Sequence, residues 1–154
     1  MRYAARKDKG RYKVMSNMTR HEIREAAFLL SFERMFQTDL TLEQTVEMAE
    51  DCELFTVNDT VLEYVNGVEQ HREEIDALIS RYLIKWTLSR ISKVSLAILR
   101  LAVYEILYCD NVSNDVAISE AVLLVSAYGY TEDIKFVNGL LGNLNRGLNN
   151  SEQA

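Results

Sequence analysis

Arg20 and Arg24, one helical turn apart, are the residues whose type and spacing best suit a defined chemistry. Positions four apart on a helix share a face, where like charges mildly oppose helix formation. Neither arginine has a carboxylate three or four positions away; around Arg24 those places hold Arg20, His21, Ala27 and Phe28. Guanidinium groups side by side without local partners suit phosphate, which their planar forks of N–H donors can grip in two places. The alternative is an ion-pair partner supplied by another helix, and residue chemistry alone leaves the two readings level.

Other reactive residues do not assemble into a site. His21 and His71 are 50 positions apart and lack a cysteine or carboxylate set at metal-ligand spacing. Cys52 and Cys109 have no CxxC company and read as reduced thiols of a cytoplasmic protein. Glu73 and Glu74 are adjacent, so on a helix they point apart into solvent. No GxSxG, P-loop or GxGxxG pattern occurs. These absences lead us to expect no catalytic residues, metal or cofactor, and hence a binding protein, not an enzyme.

Charge points the same way. The net charge of −6 conceals a strong asymmetry. Residues 1–24 hold eight Lys or Arg against Asp8 and Glu22, whereas Asp39–Asp76 holds twelve carboxylates and one base, Arg72. Ala77–Tyr104 then carries five bases (Arg81, Lys85, Arg90, Lys93 and Arg100) and no acid. Segregated basic segments can bind nucleic acid even in an acidic protein, because binding follows local potential.

The elements that must position these groups are all helical. With 154 residues, 48% hydrophobic content, no Pro and six Gly, the chain suits a helical domain with its own core. The stretch Leu96–Cys109, LAILRLAVYEILYC, is apolar on every side of a helical wheel and too short to span a bilayer, so it is expected to be a buried central helix. Residues 1–17 lack periodic apolar positions and are expected to form a flexible basic extension; residues 18–150 are expected to form one helical domain. Thr19 and Glu22 have capping-box spacing, with Met18 and Ile23 as a hydrophobic staple, and open a helix expected over Arg20–Gln37. Further helices are expected over Leu42–Glu50, Val57–Val68, His71–Trp86 and Val116–Tyr128, the last capped by Asn114 or Asp115 and ended by Gly129. The core stripe of the His71–Trp86 helix is Ile75, Leu78, Ile79, Tyr82 and Leu83, with Arg81 and Lys85 complementing its dipole. A final helix from Thr131 or Asp133 turns Ile134, Val137, Leu141 and Leu144 inward. Gly139 and Gly142 within it are expected at close helix crossings, the usual reason to accept glycine in a helix.

Three segments in order, AILRLAVYEI, VAISEAVLLVSAYG and KFVNGLLGNL, resemble the C-terminal half of the NusB family of bacterial transcription antitermination factors. TRHEIREAAFLLSF is similar to the start of that family's first helix. The resemblance implies an all-α, compact bundle of about seven helices in two subdomains. It also implies binding of the boxA segment of ribosomal RNA operons together with NusE, a ribosomal protein that doubles as a transcription factor. The assembly would join the RNA polymerase elongation complex, with a homodimer as a further possible state and no membrane association. Residue by residue, Arg20 and Arg24 fall on the arginine-rich start of the first helix, and Lys135 and Phe136 on a Lys–Phe pair near RNA. Arg100 matches an arginine of the central helix that can face RNA or pair with a buried carboxylate. Phe32 and Ser95 fall toward the NusE face, Ser95 at a position often acidic in relatives. Two alternatives stand beside this reading: a protein-binding adaptor without RNA contact, and the appendage of an rRNA methyltransferase, against which the missing Gly-rich cofactor loop speaks.

Overall fold

The computed structural model describes residues 18–51, 56–85 and 87–153. The expected basic extension (residues 1–17), Cys52 and Trp86 lie outside the described residues. Seven α-helices and no strand occur among those described, in two compact units that divide between Asn66 and Gly67.

The first unit opens with α1 (Arg20–Arg34), whose start is fixed by side chains already legible in the sequence. The Thr19 hydroxyl accepts from the Glu22 N–H, and the Glu22 carboxylate accepts from the Thr19 N–H, both at 3.1 Å. Those hydrogen bonds hold the Glu22 carboxyl below its ordinary range. α1 buries Ala26, Ala27, Phe28 and Leu30. It stops three residues before the expected Gln37. There the Arg34 guanidinium donates to the Leu40 carbonyl at 2.7 Å and to the Thr45 hydroxyl at 3.3 Å, closing the turn into α2 (Leu42–Asp51). α2 has its own reciprocal cap, Thr41 with Gln44 at 2.9 and 3.1 Å, and buries Val46 and Ala49. α3 (Asp59–Gln70) starts where the Asn58 side chain accepts from the Val61 N–H at 2.8 Å. It runs across the boundary between the units.

In the second unit, α5 (Lys93–Tyr108) is the central helix that the apolar run predicts. Leu96, Ala97, Ile98, Leu99, Leu101, Ala102 and Val103 are all buried. α4 (Arg72–Arg81), α6 (Asn114–Tyr128) and α7 (Thr131–Gln153) pack around it, and a single 3-10 turn, Leu88–Arg90, precedes it. Ser113, not Asn114 or Asp115, caps α6, accepting from the Val116 N–H. α6 buries Ala117, Ala121, Leu124 and Val125, whereas Tyr128 is exposed. Gly129 follows the helix in extended backbone (φ −103°), so it ends α6 without the left-handed conformation usual for a terminal glycine. α7 turns Val137, Leu140, Leu141 and Leu144 inward and leaves Ile134 half-buried.

Two expectations fail in the same place. α4 ends at Arg81, so Tyr82 and Leu83 are half-buried loop residues outside its core stripe, and Lys85 lies too far past the terminus to complement its dipole. No Gly or Pro marks this stop; the helix closes with the Tyr82 N–H donating to the Ile79 and Ser80 carbonyls. The Tyr82 hydroxyl lies against Gly147 of α7, where a Cβ would collide with it. Likewise a Cβ on Gly67 would run into the Tyr104 ring. Gly67 and Gly147 thus mark the close approaches, not Gly139 and Gly142. A Cβ on Gly139 would meet nothing within 4 Å, and one on Gly142 would meet only the Arg146 side chain of its own helix, at 3.6 Å. Gly139 lies on the face of α7 away from Val137 and Leu141.

These environments give two glycine substitutions opposite signs. Gly67→Ala should lower stability by about 1–3 kcal/mol through overpacking against Tyr104. Gly139→Ala should raise it by about 0.5–1 kcal/mol through helix propensity alone. Urea denaturation midpoints of the two variants check this, and a destabilised Gly139→Ala would show that its surroundings are crowded.

Candidate nucleic-acid interface

The two arginines of α1 part company in the structure. The first turn, Arg20 to Glu22, is exposed, and α1 enters the core only from its second turn. Arg20 has no hydrogen bond or ion pair among the described residues and stands in solvent as a usable cation. Arg24 is only 3% exposed and is already engaged with a neighbouring group. The expectation of two exposed, unpartnered arginines is therefore corrected for Arg24. Helical spacing gives the direction of a side chain but not the depth at which a neighbouring element covers it.

Arg100 is likewise committed within the protein. Its guanidinium meets the Asp76 carboxylate of α4 through two bonds, 2.8 Å from Nε and 2.9 Å from Nη2, with the two side chains 15% and 21% exposed. A bidentate pair of this kind uses the fork that phosphate would need. Of the two roles open to Arg100, the structure shows the pairing with a carboxylate, that of Asp76. Ser95, expected toward a partner, is fully buried, and its Oγ has no hydrogen-bond partner among the described residues. Its side chain cannot touch another protein in this conformation. Phe32 of α1 is half-buried between two rings, 6.0 Å from Phe28 of the same helix and 5.1 Å from the exposed Phe36 just past its end.

Lys135 and Phe136 are brought together with residues that the sequence reading sent elsewhere. They line an open groove of about 360 Å³ with Tyr82, Leu83, Ile84, Lys85, Gly139, Leu140 and Asn143. One wall is α7, where Lys135, Gly139 and Asn143 follow at one-turn intervals and Phe136 and Leu140 stand beside them. The other is the segment released by the early end of α4. Lys85 and Lys135 are exposed and have no ion pair among the described residues. Among the described residues, no carboxylate lines the groove. Ile84 is 89% exposed, a bare apolar side chain at its edge. Sequence periodicity hid Lys85 by continuing α4 through it, and hid Gly139 by treating it as a packing residue. The available signal was that no cap residue supported a helix end near Trp86.

A second surface feature lies where α4 begins and α5 ends. The His71 ring stacks on Tyr108 at 4.0 Å and 21°, and the Tyr108 hydroxyl donates to the Glu74 carboxylate. That hydrogen bond, then burial and the carboxylate's charge, push the Tyr108 phenol up to about 12. Among the described residues there is no group of three or more His, Cys, Asp or Glu able to hold a metal, and no helix long and apolar enough to cross a membrane.

Fold and surface together define an all-helical protein with an open, carboxylate-free cationic groove. Comparison with known proteins makes the class specific. The NusB family profile matches residues 11–146. A transcription antitermination protein NusB of Oceanobacillus iheyensis is 39% identical over 130 residues, covering 82% of this chain and 98% of that one. The T. maritima NusB structure matches with a TM-score of 0.73 and 37% identity over 82% of this chain and 90% of that one. A structure of antitermination factors NusB and NusE in complex with dsRNA shares the fold, with a TM-score of 0.72 at 24% identity over 83% and 96% of the two chains. The chain belongs to the NusB family.

The Tyr108 environment has a pH signature. A phenol whose pKa is raised on folding contributes stability that is fully present below its unfolded value and is lost as pH rises through the folded one. Glu74→Gln should bring Tyr108 ionisation down from about 12 toward the ordinary value of 10. Ultraviolet difference titration should show one tyrosine shifting out of the latest-ionising group. An unchanged titration would mean that Glu74 does not hold the phenol.

Proposed function

We propose that this chain is a transcription antitermination factor that binds boxA-type RNA of ribosomal RNA operons together with NusE, and joins the RNA polymerase elongation complex in the cytoplasm. The observation that carries this reading is the NusB family match across residues 11–146, with a relative named for antitermination aligned along almost its whole length. The groove of the second unit supports the RNA part. Its exposed lysines have no competing carboxylate within it, and Phe136 offers an aromatic face on which an unpaired base can stack. Arg20 is the α1 cation able to contact phosphate. The half-buried Phe32 is the remaining residue assigned to the NusE face. The mechanism is affinity and geometry, with no bond made or broken.

Salt dependence tests the RNA assignment. Arg20→Ala and Lys135→Ala should each weaken binding of single-stranded boxA-type RNA and lower the slope of log affinity against log salt by about 0.7. Denaturation midpoints should stay in place, because both side chains are exposed. Arg100→Ala should do the reverse, costing about 1–3 kcal/mol of stability by leaving Asp76 unpaired while the salt slope holds. Gel shifts across a salt series and denaturation curves on the same three proteins read both quantities. An Arg20 and Lys135 pair of variants with the original slope would leave the purely protein-binding adaptor as the better reading.

A further inference from the structure

α6 is covered on one side only. Ala117, Ala121, Leu124 and Val125 are buried within the second unit, while Val116 and Leu123 are 45% and 54% exposed. The helix is thus apolar on the side it buries and apolar again on the side it shows to water. Seven residues separate Val116 from Leu123, so both lie on one stripe, and Ser119, Ser126 and Ala127, all exposed, fall beside them. Tyr130, 77% exposed, stands just past the helix end, where its N–H donates to the Asp133 carboxylate at 2.9 Å. We propose that this stripe is the contact between two copies of the chain, packed antiparallel about a two-fold axis at Leu123. It shares no residue with the cationic groove and stands apart from the RNA-binding reading.

The chemistry of the stripe selects its occupant. α6 has no Lys or Arg, and its two carboxylates, Asp115 and Glu120, would repel a polyanion, so charge gives a nucleic acid no hold here. Asp115 sits in the first turn, where it complements the helix dipole, and Glu120 is half-buried and already engaged with a neighbouring group. The Ser126 hydroxyl donates to the Val122 carbonyl at 2.8 Å, so it can leave water without losing its hydrogen bond. What fits is a second apolar stripe with small residues in it, and another copy of α6 supplies one in matching order. With Leu123 set against Leu123, Ser119 of one copy meets Ala127 of the other, and the turn at Val116 meets the end that carries Tyr130. Small residues on either side of a central leucine let the two backbones approach, and antiparallel helix dipoles attract. From Val116 to the end of α6 at Tyr128 the stripe is about 18 Å long. One helix wide, it would bury on the order of 800–1,000 Å² across the pair, at the lower limit for a specific interface. That area sets the strength: the chain is a monomer when dilute and a dimer only when concentrated.

The test uses the full chain without RNA. Sedimentation equilibrium from about 10 µM to about 1 mM should show a monomer passing to a dimer, the range in which so small a contact associates. Leu123→Glu should weaken that dimer by about ten-fold or more, because two carboxylates would then meet on the axis. Its melting temperature when dilute should hold, since Leu123 is more than half exposed and Glu is a good helix former. Disulfide formation reads the register. Ser119→Cys and Ala127→Cys chains, carrying tags of different mass, should join to each other and far less to themselves. In the antiparallel pair like positions lie about 12 Å apart along the axis, beyond the reach of a disulfide. The unaltered chain, with Cys52 and Cys109, gives the background. A chain that stays monomeric across this range overturns the proposal, as does a dimer that Leu123→Glu leaves intact. Should Leu123→Glu melt early, the cysteine pair decides, and no mixed product above background rejects the contact. If the chain binds NusE as a monomer and Leu123→Glu abolishes that binding, the stripe belongs to NusE and the second copy is overturned.

Discussion

The second unit depends on covering α5 from every side. A helix carrying Leu96, Ile98, Leu99, Leu101 and Val103 around its circumference has no face to offer water, and each fully buried Leu, Ile or Val contributes on the order of 1.5–3 kcal/mol. α4, α6 and α7 are the covering. Where α5 must carry a charge at its surface, at Arg100, the bidentate bond to Asp76 ties that charge to α4 and adds direction to a contact that is otherwise apolar. Burial supplies the driving force, and the ion pair helps to set the register of one covering helix.

Once α7 is held by Val137, Leu141 and Leu144, its opposite face is fixed without being packed. Lys135, Gly139 and Asn143 are therefore displayed on a rigid element, where a site can be positioned more closely than on a loop. The loop wall has a different origin. Gly147 admits the Tyr82 ring against α7, α4 stops at Arg81, and Leu83 to Lys85 leave the helix to face α7. A close contact at one glycine and an open space at another, two turns earlier on the same helix, make opposite use of the same missing side chain.

Burial also sorts the cations, which composition could only count. Arg24 and Arg100 are drawn into the framework, where an uncompensated charge would be costly and a partner is required. Arg20, Lys85 and Lys135 remain in water, free to release counterions on meeting a polyanion. A net charge of −6 does not oppose this, because potential is local and, among the described residues, no carboxylate lines the groove.

The sequence by itself determined the features that rest on short-range periodicity and local hydrogen bonds. The all-helical class, the buried central helix, the Thr19–Glu22 capping box and the inward stripe of Val137, Leu141 and Leu144 were legible for that reason. The KFVNG segment and its companions also carried the family, because their order along the chain is itself the signal. What only the tertiary structure decided is everything that depends on a neighbour distant in sequence. The seat of Tyr82 needed Gly147, the role of Arg100 needed Asp76, and the burial of Arg24 and Ser95 needed the elements that cover them. Gly139 shows the limit most directly: its helical position was readable, but whether its missing side chain accommodates a packed helix or open space depends on what lies across from it. Periodicity gives the direction in which a residue points, and only the assembled fold supplies what it meets there.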